Sequence, residues 1–438
     1  MSTPSAKSTP LSRRAFTTAA LGTTAAAGLT ACGGSSSSSS GPVTLRMSWW
    51  GGDTRHQYTQ QLIEKFNSTH SDIQIKGEFG EWSGYWDKLA TTVAANDAPD
   101  IFQMDEKYLR SYGDRGALMD LSELEGLDTS GIDASSLETG RTPDGLLGLV
   151  IAIHPLGMVT NPTVLEAAGV AVPDDTTWTW EDYHRIGAQV TAASPAGTYG
   201  IANSGLEENQ LQLWVKQNGA SFYDEDGKVV LPEEHLVSWW EYGLGILPDN
   251  AAGPVSLAIE SASASLEQTP LATNRVGFQT YWAGQVVAFT KASGAPLKLL
   301  RPPRQTTSGE WGLYYKPSMF WSASSRTENP EAVATVLDWF TNAEEVQDAM
   351  LVERGIPANP AVRERIAPLL DPAGQVAIGY TDAVADVIAA TPPSAPAGAS
   401  DIEAIVRRYG SDVLFGKQTP QAAARGLVDE LTNSVESA

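Results

Sequence analysis

From Val43 onward, apolar and polar positions follow two rhythms in turn. Val43, Leu45, Met47 and Trp49 alternate with other positions, the period of a strand. Gly51-Gly52-Asp53-Thr54 interrupts that pattern, and Tyr58, Leu62 and Phe66 then recur at steps of four, the stripe of a helix. Ile73, Ile75 and Phe79 mark a second strand. Ser83-Gly84 turns into a helix with Trp86, Leu89 and Val93 on one face, and residues 100–105 read as a third short strand. The βαβαβ order predicts an α/β fold with a mostly parallel sheet, whose ligands gather beyond the carboxyl ends of the strands. Those ends are Trp49 to Asp53, Glu81 to Tyr85 and Asp105 to Tyr108, all rich in aromatic rings and carboxylates.

Farther along, Thr179 is placed to cap a helix with Asp182 at its third position, and Tyr183, Ile186 and Val190 form the inner face. Asn329-Pro330 starts another helix with Val333, Leu337 and Phe340 inward. Asn342 is expected to cap the next, with Glu345 completing the box and Gly355 as the stop. A Pro/Ala/Ser loop over 391–400 precedes two terminal helices, the last capped at Thr419.

The first residues break from this pattern and change the picture. Ser12-Arg13-Arg14-Ala15-Phe16 is a twin-arginine sequence followed by an Ala/Thr/Leu run free of charge, which reads as an export signal over 1–31. Leu29-Thr30-Ala31-Cys32 resembles a bacterial lipobox, implying that Cys32 becomes the lipidated first residue of the mature chain. Cys32 is the only cysteine of 438 residues, so no intramolecular disulfide forms. Gly33-Gly34 and a run of serines follow, making 32–42 a lipid anchor and flexible tether to the membrane. Net charge is −23, and loss of the leader's Lys7, Arg13 and Arg14 leaves the mature chain more acidic still. Such a chain repels phosphate backbones, which argues against nucleic-acid partners.

Several segments of the mature chain resemble one family, the extracellular solute-binding proteins of sugar ABC importers of the maltose-binding type. Asn96-Asp97-Ala98-Pro99-Asp100-Ile101 is similar to the family's entry into its third strand. Gly148 to Asn161, with Gly169 and Pro173, resembles the crossing between lobes and the lead into Thr177-Trp178-Thr179-Trp180-Glu181-Asp182. Asn329-Pro330-Glu331-Ala332, Glu344-Glu345-Val346-Gln347 and Gly355-Ile356-Pro357 resemble its late helical signature, and Gly416 to Ala423 its terminal helix start. The resemblance implies a two-lobed periplasmic-binding-protein-like fold of type II, with the ligand in the cleft between lobes. By family topology lobe one comprises 43–152 plus 276–326, and lobe two 153–275 plus 327–438. The implied partners are a carbohydrate, the transmembrane permease subunits and a separate ATPase. A monomer without cofactor is expected.

A sugar offers apolar C–H faces to flat rings and hydroxyls to carboxylates, amides and arginine. Trp50, Trp82 and Trp282 follow strand-like runs and are the aromatic candidates; the family commonly stacks an aromatic on the sugar at the place of Trp282. Trp50 is chosen over Trp49 because Trp49 continues the buried phase of the strand. Trp239, Trp240 and Trp339 sit in helical patterns and read as core, while Trp311 and Trp321 stay open. Asp53, Glu81 and Asp105 are the carboxylate candidates, although Asp53 could equally cap the first helix. Arg354 is carried over from the family's cleft-facing region, with a plain helix C-terminal cation as its other reading. His154 in the crossing segment reads as hinge.

Enzyme motifs are missing: His-Glu-x-x-His, Gly-x-Ser-x-Gly and a phosphate loop do not occur. A glycosidase needs only two suitably spaced carboxylates, so a secreted glycoside hydrolase is the alternative. Five His and no His/carboxylate cluster argue against a transition-metal site, and calcium ligation by oxygens stays open.

Overall fold

The computed structural model describes residues 41–202, 205–262 and 264–438. Cys32, the twin-arginine segment and nearly all of the tether lie outside the described residues.

The strands are β1 Val43–Trp50, β2 Ile73–Gly80, β3 Ile101–Met104, β4 Arg141–Thr142, β5 Gly145–Leu146, β6 Leu149–Thr160, β7 Tyr199–Ile201, β8 Val276–Trp282, β9 Lys298–Leu300, β10 Tyr315–Ala323 and β11 Ile356–Pro357. β4 and β5 form a small hairpin, and the main sheet runs β2-β1-β3-β10-β6-β8-β7, with β9 and β11 also pairing with β6. β1 is parallel to β2 and β3, as the βαβαβ rhythm predicts, whereas β10 runs antiparallel to both β3 and β6. β1 shows the alternation at its start and then is covered on both faces from Met47 onward, the usual state of a parallel strand. Helices α1 Asp53–Thr69, α2 Trp82–Ala94 and α3 Glu106–Gly113 follow β1, β2 and β3 in turn. α1 buries Leu62 and Phe66 of the expected stripe, with Ile63 beside them, while Tyr58 is half-buried.

Two large apolar cores are strung along this sheet. The first gathers Leu45, Met47, Trp49, Phe102, Phe320, Leu337 and Val346. The second gathers Met158, Tyr183, Trp239, Trp240, Phe278 and Leu427. β6 belongs to both: Leu149 to Ile153 enter the first core, and Leu156 to Val159 the second. The division differs from the expected one. Val276 to Leu313 pack into the second core because β8 and β9 pair with the far half of β6, at Leu156 to Thr160. The helix Pro330–Asn342 packs into the first because it follows β10, which lies between β3 and the near half of β6. The chain thus crosses at His154-Pro155, again at Tyr314-Tyr315, and a third time near Ile356, which touches the second core while Ala358 touches the first.

Local signals are mixed. The Thr179/Asp182 capping box is present at the helix Trp180–Ala193, and Thr419 caps Pro420–Glu436. Asn342 does not cap its successor. It ends the preceding helix and donates from its amide to the Asp128 carbonyl and the Asp338 carboxylate, each at 2.8 Å. α2 starts at Trp82, four residues earlier than Trp86, so Trp82 is helical and not part of a loop. Among the described residues no helix is long and apolar enough to cross a membrane.

Candidate functional site: a cleft between two cores

Neighbouring parallel strands deliver the residues at their carboxyl ends to one place. Trp50 closes β1 and meets three rings of α2: Trp82 edge-on at 5.1 Å, Tyr85 at 5.2 Å and Trp86 at 5.3 Å between centroids. Tyr108 of α3 stacks on Trp86 at 3.9 Å. Trp49 is fully buried, as expected, and Trp50 is also buried, at 7 % exposure, behind the partner rings. Trp82, at 42 %, is the most exposed ring of this group, and Tyr108 is half-buried. Asp53 is the exposed first residue of α1, and Glu81 is exposed just ahead of α2. Asp105 caps α3, its Oδ1 accepting from the Lys107 N–H at 3.0 Å. Burial, then the neighbouring Glu106, raises the Asp105 carboxyl above its usual value.

Between the two cores lies a cavity of about 270 Å³. The first-core side contributes Glu106, Lys107 and Lys316; the second contributes Glu207, Glu208 and Trp282, with Tyr314 at the crossing. Trp282 is the last residue of β8, where it pairs with Leu156, and its backbone N–H donates to the Gln285 amide oxygen at 3.1 Å. Its ring meets Tyr314 edge-on at 6.0 Å, and the Lys316 ammonium lies 5.9 Å from its centroid. Trp282 is the one sequence candidate in the cavity wall itself; Asp105 stands beside it, close enough to act on the Lys316 charge.

The charges of this wall are matched almost one to one. Lys316 pairs with Glu106, Lys107 with Glu403 at 3.7 Å, and Arg407 with Glu207 at 3.8 Å. Glu208 is the carboxylate left over. Burial, followed by repulsion from Glu403 and Glu106, pushes it up to about 7, so near neutrality it holds a proton part of the time and can donate as well as accept. The Tyr314 phenol is held well above its ordinary value by burial and then by Glu208. Among the described residues no cluster of His, Cys, Asp or Glu is arranged to hold a metal ion.

His154 marks the first crossing. Burial, then Lys316, lowers its imidazole to about 4, so it stays neutral. Gly355 lies against this ring with φ +117°, and a Cβ there would come within 2.9 Å of the imidazole. Glycine satisfies both the backbone and the contact. Arg354, placed in the cleft by resemblance, is buried in the first core instead, at 2 % exposure. Its guanidinium donates to the Gln103 side chain and to Thr59 Oγ1, and lies 5.0 Å from the Trp321 ring centroid. Those partners come from α1, β3 and β10, and they draw the side chain inward.

The sequence reading missed Glu106, Glu208, Lys316 and Tyr314. Glu106 is adjacent to Asp105 and shared its strand-end signal. Glu207-Glu208-Asn209-Gln210 follows β7 as a polar run, a signal that would have counted had β7 been recognised.

The chain is similar in sequence and in fold to several known proteins. A Streptomyces antibioticus protein described as an uncharacterized lipoprotein is 29 % identical over 168 residues, covering 37 % of this chain and 36 % of its own. The arabinooligosaccharide-binding protein of Bacillus subtilis is 25 % identical over 229 residues, 50 % of this chain and 51 % of its own. The chain thus spans about half, or less, of the length of these curated relatives. Among solved structures, an extracellular solute-binding protein family 1 member from Alicyclobacillus acidocaldarius superposes with a TM-score of 0.78 at 26 % identity, covering 91 % of this chain and 100 % of that one. The fold is the two-lobed arrangement of such proteins, each lobe built on one of the two cores. Residues 61–374 match the family profile of the bacterial extracellular solute-binding proteins, and the chain belongs to that family.

Proposed function

We propose that this protein captures a neutral oligosaccharide in the cleft between its lobes and delivers it to a membrane permease driven by a separate ATPase. The observation that carries the reading is Trp282 in the wall of a cleft whose cations are each engaged by a carboxylate. A flat ring suits the C–H face of a sugar, and paired charges present hydrogen-bonding edges to hydroxyls. With no cation left over in this wall, an acidic sugar meets no counter-charge. The name of the Bacillus subtilis relative supports an oligosaccharide. Trp282 is proposed to stack on the sugar, Trp82 to offer a second face, and Asp105, Asp53 and Glu81 to bind hydroxyls at the cleft's first-lobe side. Trp50 backs Trp82 from behind.

The protein is exported under its leader and held at the outer face of the cell membrane by acylated Cys32, a monomer on a flexible tether. The lipoprotein name of the Streptomyces antibioticus relative supports this. Thermal-shift screening against neutral, amino and uronic saccharides tests the ligand, since binding to the folded state raises its melting temperature. Neutral sugars should stabilise the protein and be recovered intact. Stabilisation by uronates alone would overturn the neutral reading, and steady release of shorter sugars would make the protein a hydrolase.

A further inference from the structure

A second cavity of about 320 Å³ lies within the second lobe, behind the cleft. It shares Glu207, Asn209 and Arg407 with the cleft as wall residues, so the two spaces adjoin. Each is near the lower end of the ~300–1,000 Å³ range of small-molecule sites. The new cavity is walled on one side by Tyr281 and Phe289, whose rings lie 4.3 Å apart, and on another by the helix Val255–Ala262.

Its polar wall is unsatisfied. Asn209 Oδ1, Gln210 Oε1, Gln279 Oε1 and Arg407 Nε are all buried and lack a hydrogen-bond partner among the described residues. Gln210 is 4 % exposed. Leaving such a group unpaired is costly, and native proteins leave few without a reason. Here several fall on the wall of one cavity. Three are amides and the fourth is a guanidinium, on a wall that also carries Tyr281 and Phe289, and the one carboxylate of the wall, Glu207, already faces Arg407 at 3.8 Å. Amides and rings without spare charge suit a neutral polyhydroxy group.

We infer that this second cavity is a subsite for a further unit of the oligosaccharide whose other end lies against Trp282. The inference rests on the sugar-binding reading and extends it: the ligand is longer than one ring, and part of it sits in the second lobe alone. The walls belong to elements of the second core and to a small cluster of Leu206, Val255 and Leu414 beside it, with no residue from the first core, so the subsite exists before the lobes close and can dock the chain end first.

The test uses arabino-, xylo- and cello-oligosaccharides of graded length on the mature protein. Retained sugars are identified by mass spectrometry and titrated. Ser261→Trp, from the cavity wall, fills the space; Gln279→Leu keeps the volume and removes the amide. In the wild type affinity should rise with length beyond the shortest sugar bound. Ser261→Trp should remove that gain, a loss of roughly tenfold or more for the longer sugars, with the shortest unaffected. Gln279→Leu should weaken the longer sugars in the same direction without lowering the melting temperature of the sugar-free protein, because an unpaired buried amide is replaced by an apolar group. Affinity independent of length, or equal losses at every length, would overturn the subsite while sugar binding stands. Retention of no saccharide by the wild type would overturn the sugar-binding reading itself, and the subsite with it.

Discussion

Trp282 and Glu208 carry most of what is testable one residue at a time. Trp282 is half-buried at a strand end, so it supports little of either core. Trp282→Ala should weaken binding of the best neutral oligosaccharide by roughly thirtyfold or more, the ~2 kcal/mol typical of a central aromatic anchor. Its melting temperature without sugar should change little; a core tryptophan would cost about 3–5 kcal/mol of stability, and that result would remove Trp282 from the site. Glu208 is tested by pH. Its folded value of about 7 lies above the ordinary 4.5, so between those values the folded protein holds a proton that the unfolded chain has lost. Stability therefore falls as pH rises through that window. Glu208→Gln should melt higher than wild type at pH 8 and match it near pH 4.5; a constant difference across the range would mean Glu208 is not desolvated. Trp50 and Arg354 show where single residues resist reading. Alternation places Trp50 opposite Trp49, but a parallel strand is covered on both faces, so phase cannot tell cleft from core. Arg354 lies 251 residues from Gln103 and 295 from Thr59 along the chain, and nothing local announces such partners.

Elements were legible wherever their signal is local. β1 to β3, α1 and the helix at Trp180 follow from periodicity and capping chemistry carried within a few residues. Thr179 accepts from the Asp182 N–H while the Asp182 carboxylate receives the Thr179 N–H. Thr179→Ala should cost about 1 kcal/mol in urea unfolding, and no loss would mean that water caps that helix equally well. Boundaries were less legible. Asn342 has the right type for a cap, yet its amide is taken by Asp128 and Asp338, a competition between side-chain partners that sequence spacing does not register.

At the scale of the molecule, the α/β class and the two lobes were readable, the class from the rhythm of elements and the lobes from family motifs. The assignment of later segments to lobes was not. β8 alternates the same way whichever half of β6 it pairs with, and only the long-range register decides. The proposed anchor also belongs to the scale of the whole chain. Cys32→Ala should leave the protein uncleaved or released, whereas the wild type should sediment with membranes; wild type found wholly in the culture supernatant would remove the anchor.

The placement of β10 also bears on how the chain is made. It fills the gap between β3 and β6, yet it is translated long after both. At about 5–20 residues per second, the ribosome needs roughly 10–40 s to pass from the end of β3 to the start of β10. During that time β3 has an open edge, a surface prone to wrong pairing. The second lobe waits longer, because Val406, Leu427 and Leu431 of its core lie in the two terminal helices. Neither half can finish until most of the polypeptide has emerged, so apolar surface and an unpaired strand edge stay open through synthesis, the condition in which nascent chains gain from shielding by chaperones.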